Sequence, residues 1–172
     1  MKIVVRVFVV LLTTAVLYRG LFVQIQIMHV IAVPLLLIAI AAGIAGGPDR
    51  GAMVGFFAGL TYDLLLPLAP MGLGALSFCI VGFVVGRYQA TVVRSAMWLK
   101  MAIATLASAG GMLLYIGVGL LVNQENFLQR PIWPTIVVVS VVNGLLSPLA
   151  VRIMRWAFDI SSRELRAVGS AR

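Results

Sequence analysis

The sequence predicts an all-α integral membrane protein with six transmembrane helices and both termini in the cytoplasm. Three observations point there. Of the 172 residues, 62% are hydrophobic and 10% charged, with a mean hydropathy of +1.12, whereas a soluble domain is about 45–50% apolar. Polar punctuation divides the chain into six apolar runs of 13 to 27 residues, to be compared with the ~20 that cross a bilayer. The 13 Lys and Arg, against 5 Asp and Glu, also fall almost wholly in alternate loops. In a soluble chain a net charge of +8 and a pI near 10.9 would suggest nucleic acid. In a chain this apolar the charge is a topology signal, and no nucleic-acid partner is expected.

The first helix is expected over residues 3–18, an almost pure Val/Leu/Phe stretch in which Arg6 snorkels to the interface. It starts basic like a signal peptide, but Tyr18-Arg19-Gly20-Leu21 is no small-x-small cleavage site, so the helix is read as retained. The second covers 28–46 and contains Pro34, which a spanning helix tolerates where neighbours satisfy the freed carbonyl. The third, 52–66, and the fourth, 73–85, are the shortest, and Pro67 to Gly72 forms the turn between them, since two prolines and a glycine cannot continue a helix. This pair is either two full spans or a re-entrant hairpin, and both options keep the parity. The fifth covers 99–122 and the sixth 132–158, where Asn143, Gly144, Ser147 and Pro148 break the apolar pattern. A proline there frees a carbonyl that Ser147 or a neighbour must satisfy. Residues 1–159 thus form one membrane domain, followed by a basic cytoplasmic tail over 160–172.

Lys and Arg in short loops resist translocation. With the N-terminus inside, Lys2, Arg6, Arg50, Arg87, Arg94, Lys100, Arg152, Arg155, Arg163, Arg166 and Arg172 are cytoplasmic, and of the 13 cations Arg19 and Arg130 alone lie outside. His29 is read as interfacial. Trp98, Trp133, Trp156, Tyr18 and Tyr88 fall at predicted helix ends and are assigned anchoring roles. The outer loop 123–130 is too short to be a catalytic domain.

The segment from residue 47 is more than hydrophobic. Gly47, Gly51, Gly55 and Gly59 recur every four residues, and the next step is Asp63. Gly82 and Gly86 repeat the spacing on the fourth helix. On a helix this makes a stripe where another backbone can approach closely, either within the bundle or on a partner. Asp63 lies 12 residues beyond Gly51, or ~18 Å along a helix. A carboxylate at such depth costs about 2.5–3.5 kcal/mol and must face a polar environment. The readings open for it are a cap or turn-stabilising group, an ion pair with Arg19, partner docking, or proton coupling, the last lacking a second buried acid, histidine or lysine.

One cysteine and one histidine exclude disulfide frameworks and His-rich metal sites. The acids Asp49, Asp63, Glu125, Asp159 and Glu164 are spread over both membrane faces, so no catalytic set assembles. No enzyme, cofactor or metal is expected.

The order of two apolar helices, then Gly51-x3-Gly55-x3-Gly59-Leu60-x2-Asp63-Leu64-Leu65, a proline-containing turn and Met71-Gly72-Leu73-Gly74-Ala75-Leu76, resembles the rod shape-determining MreD family. The resemblance covers the whole chain in length and topology, and its specific part spans residues 51–86. It implies a non-enzymatic scaffold of the cell-elongation machinery in the bacterial inner membrane, regulating cell shape and peptidoglycan synthesis. Its implied partners are an MreC-like protein and, through it, MreB, RodA and a penicillin-binding transpeptidase. Carried over by residue, it marks Gly55, Gly59, Asp63 and Gly72. The family is similar in fold to the S components of energy-coupling-factor vitamin transporters, and such a substrate-binding component is the alternative reading. That alternative needs an Ala-x3-Ala motif on the first helix. The Ala41 to Ala45 instance lies on the second. Homodimerisation stays open.

Overall fold

A computed structural model describes residues 2–18, 20, 33–65, 71–88, 97–122 and 132–158. These residues form six helices and no strands: α1 Lys2–Leu17, α2 Pro34–Gly46, α3 Pro48–Leu65, α4 Leu73–Arg87, α5 Met97–Leu121 and α6 Ile132–Ala157. The predicted turn at 67–70, the outer loop 123–130, the basic tail, His29, Arg19 and Arg130 lie outside the described residues.

Composition decides which helix is central. In α2, PLLLIAIAAGIAG has no polar face, and every residue from Pro34 to Ala45 is buried, as expected of a helix apolar all round. It touches all five other helices. α3 packs most extensively on α4 and α5 on α6, while α1 makes the sparsest contacts, against α2, α3 and α6.

Two boundaries correct the sequence reading. Pro34 opens α2 instead of interrupting it, with Val33 as the residue before the first turn. A proline at the first helical position loses no hydrogen bond, because that N–H has no helical partner anyway. For the same reason α3 starts at Pro48, with Asp49 in its first turn, four residues earlier than expected. Gly47 is therefore not the first member of the helical stripe. It is the single residue between α2 and α3, at φ 85°, a conformation that favours glycine.

Length divides the helices. α5 over Trp98–Leu121 and α6 over Trp133–Ala157 are long and apolar enough to cross a membrane. α1, α2 and α4 are apolar but have 16, 13 and 15 residues, and 13 residues reach only ~20 Å at 1.5 Å per residue.

The helices alternate in direction. Arg6 of α1 donates to the Trp156 carbonyl at 3.3 Å and lies over the Trp156 ring. Arg50 of α3 lies over the Phe158 ring, and Gly86 at the end of α4 abuts Pro48 at the start of α3. One end of the bundle is therefore cationic. The other end joins Tyr18, Tyr62 and Tyr115 of the first, third and fifth segments.

Polarity is inverted relative to a soluble protein. Asp63, Ser77, Ser108, Ser140, Asn143 and Ser147 are buried, whereas Val4, Phe8, Met53, Leu106, Leu145 and other large apolar side chains cover the outside. Helix hydroxyls return their hydrogen bonds to the preceding turn: Thr14 to Val10, Thr61 to Phe57, Ser77 to Leu73 and Thr105 to Met101, all at 2.7–2.9 Å. Asn143 Nδ2 donates across the bundle to Ser108 Oγ at 3.2 Å and to the Val33 carbonyl at 3.4 Å, tying α6 to α5 and to the start of α2.

The proline in α6 shows the expected compensation. Pro148 has no N–H for the Gly144 carbonyl, and Ser147 Oγ donates to that carbonyl at 2.8 Å. Ser147→Ala is expected to destabilise by ~1 kcal/mol. In a Pro148→Ala background the restored N–H replaces the hydroxyl, so the same change should cost almost nothing. Thermal unfolding of the four variants in detergent measures this, and an equal loss in both backgrounds would assign the hydroxyl another purpose.

Candidate functional site

The residues singled out by the sequence converge on the seam between α3 and α4. A side chain needs room that Gly51, Gly55 and Gly59 do not have. A Cβ at Gly51 would run into the Gly82 carbonyl, one at Gly55 into the Phe78 carbonyl, and one at Gly59 into the Gly74 carbonyl. The approach is reciprocal, since a Cβ at Gly82 would strike the Gly51 carbonyl and one at Gly86 would lie 2.5 Å from Pro48. Gly43 of α2 joins the same seam, 2.5 Å from the Gly82 carbonyl by the same measure. The four-residue spacing thus brings two helix backbones together, with glycine on α3 at each close approach and on α4 at Gly74, Gly82 and Gly86.

Asp63 closes this seam at its tyrosine end. Asp63 is 2% exposed, and its carboxylate accepts from the backbone N–H groups that open α4. The Gly72 N–H donates to Oδ2 at 2.9 Å, the Gly74 N–H to Oδ1 at 2.9 Å and to Oδ2 at 3.0 Å, and the Ala75 N–H to Oδ2 at 3.2 Å. The first N–H groups of a helix have no partner within it. Their partial positive charge favours a carboxylate. Asp63 therefore caps α4 from another helix. The proposed partner Arg19 lies outside the described residues.

Two further glycines make this cap fit. Gly72, the residue before α4, has φ 102° and open space around it, so its requirement is conformational. Gly74 faces the opposite constraint, because a Cβ there would strike Asp63 Oδ1.

Beside the carboxylate lies a cluster the sequence reading missed. Tyr62, next to Asp63, packs against Tyr18, Phe78 and Tyr115, with ring centroids 6.0, 5.4 and 5.7 Å apart. All three tyrosines are buried. Tyr18 is thus a packing residue and not the interfacial anchor expected of it, whereas Tyr88, Trp98, Trp133 and Trp156 are exposed. The available signal was Tyr115 in the middle of an apolar helix: a hydroxyl at that depth needs a partner.

The arrangement fixes one helix hairpin and attaches α1 and α5 to it. Among the described residues the acids are Asp49 and Asp63, at opposite ends of α3. No three His, Cys, Asp or Glu side chains come together there. Over residues 1–156 the chain matches the family model described as rod shape-determining protein MreD. No curated protein and no solved structure matches it.

Proposed function

Since the chain belongs to the MreD family of rod shape-determining proteins, we propose that it is a non-enzymatic scaffold of the cell-elongation complex in the bacterial inner membrane. The match over residues 1–156 carries this reading, because it takes in all but the last residue of the six described helices. The inverted polarity of the bundle supports the membrane environment: buried serines, an asparagine and a carboxylate inside, aliphatic and aromatic side chains outside. In this reading all six helices cross, and the cationic end faces the cytoplasm. α2, being enclosed by the others, needs no lipid-facing length of its own.

The glycine seam and Asp63 already pack within the chain. They therefore act on partners indirectly, by holding the α3–α4 hairpin in the one shape that an MreC-like protein meets, and through it MreB, RodA and a penicillin-binding transpeptidase. The transporter S-component alternative gains no support from the family match.

Depletion of the protein in a rod-shaped host, followed by microscopy, tests the function. Cells are expected to round within a few generations and to regain rod shape on re-expression. Cells that keep their rod shape after the protein is gone would overturn the reading.

A further inference from the structure

The start of α2 is a helix end inside the bundle. A Cβ at Gly46, the last residue of α2, would meet Arg50 and Phe158, so α2 rises ~20 Å from the cationic end. It begins level with Asn143, near the middle of α6, which donates to the Val33 carbonyl. The first N–H groups of a helix have no partner within it and point back past its start. Pro34 has no N–H, and among the described residues no side chain and no backbone carbonyl outside the helix accepts from Leu35 or Leu36.

Two polar side chains reach this end with their own hydrogen bonding incomplete. Asn143 Nδ2 donates to the Val33 carbonyl and to Ser108 Oγ, and because a carbonyl can only accept, the orientation of the amide is fixed. Among the described residues Asn143 Oδ1 is then buried without a hydrogen-bond partner, and so is Ser140 Oγ, one turn away on the same face of α6. Ser140 does not return its hydrogen to the preceding turn as Ser77 and Thr105 do. Since α6 runs toward the cationic end, Ser140 stands one turn beyond Asn143, on the side to which the α2 N–H groups point.

These groups select what joins them. The α2 N–H groups and the Ser140 hydroxyl donate, whereas Asn143 Oδ1 accepts. An anion has no hydrogen to give Oδ1, and a cation accepts nothing from an N–H. The molecule that satisfies all three is small, neutral and able both to donate and to accept. Val33, Ser140 and Asn143 are 2%, 4% and 0% exposed, which admits nothing larger than water. A buried water typically makes about three such hydrogen bonds.

We propose that one water molecule is enclosed where α2, α5 and α6 meet as the bundle folds. It accepts from the first turn of α2 and from Ser140 Oγ, and it donates to Asn143 Oδ1. The water gives the leading N–H groups of α2 the acceptor that Asp63 gives those of α4. The inference depends on the fold and not on the scaffold role.

X-ray radiolytic footprinting of the full chain in detergent tests it, because hydroxyl radicals made from an enclosed water oxidise the side chains beside it. Leu35, Leu36, Ile40 and Ile44 are all fully buried in α2. Oxidation is expected within the Leu35–Leu36 pair and not at Ile40 or Ile44. An unlabelled pair, or equal labelling at all four positions, would overturn the site. Asn143→Leu should bring the pair down to the level of Ile40, and persistent labelling there would overturn the assignment to Asn143. The wild-type pattern decides even where that variant does not fold. Ser140→Ala should lower the melting temperature by about 3 °C. Removing a hydroxyl that bonds to nothing would raise it instead, and a rise would overturn the bridge.

Discussion

Gly59→Leu is expected to abolish folding of the α3–α4 hairpin and, with it, rod-shape complementation. The side chain would have to occupy the position of the Gly74 carbonyl and the Ala75 amide, and neither backbone can withdraw without opening the whole seam. The graded form of the test is Gly59→Ala. One methyl forced into a close-packed site costs about 1–3 kcal/mol, which lowers the melting temperature in detergent by roughly 5 °C. Gly110→Ala is the internal control, because nothing lies within 4 Å of a Cβ there. A helical alanine in open space should be neutral or stabilise by ~0.5–1 kcal/mol. If the two alanine variants melt at the same temperature, the backbones do not touch along this seam.

Asp63→Ala is expected to have the second largest effect. It leaves the Gly74 and Ala75 N–H groups buried without acceptors, at ~1–3 kcal/mol for each, so a loss of about 3–5 kcal/mol in unfolding free energy is expected. Asp63→Asn discriminates between roles. Asparagine is a good helix-capping residue, and its one side-chain carbonyl, placed where Oδ2 was, can accept from Gly72, Gly74 and Ala75 while the amide takes the Oδ1 position. The Asn variant should therefore keep most of the stability and still support rod shape. A carboxylate required for proton coupling or for pairing with a cation would make Asn as defective as Ala. Complementation scored beside the melting temperature separates the two outcomes.

Much of the fold was legible because apolar runs and their punctuation are local properties. Six helices, their approximate bounds and the glycine spacing all follow from neighbours in the chain. Asp63 was also marked by its depth alone, since a charge inside an apolar run must find a polar environment whatever the fold. What escaped depends on which helix faces which. Nothing in the α3 sequence says that the glycine stripe meets Gly74, Phe78 and Gly82 of α4 and not a partner protein. The capping donors lie 9 to 12 residues beyond Asp63, across the turn. Tyr18 was assigned to the interface because its position at a helix end is typical of anchors, whereas its burial comes from Tyr62 of α3. Pro34 was misread for a simpler reason: an apolar run extends through a proline, but the helix starts at it.

The capping of α4 by Asp63 also constrains how the chain enters the membrane. α3 is synthesised before α4, so an α3 inserted alone would carry a bare carboxylate into lipid at about 2.5–3.5 kcal/mol, with its acceptor oxygens waiting for amides still inside the ribosome. Those amides arrive only when Gly72 to Ala75 have been made. If the bundle is inserted as proposed above, α3 and α4 are expected to enter as a pair, with the carboxylate already accepting from the amides of the helix it caps.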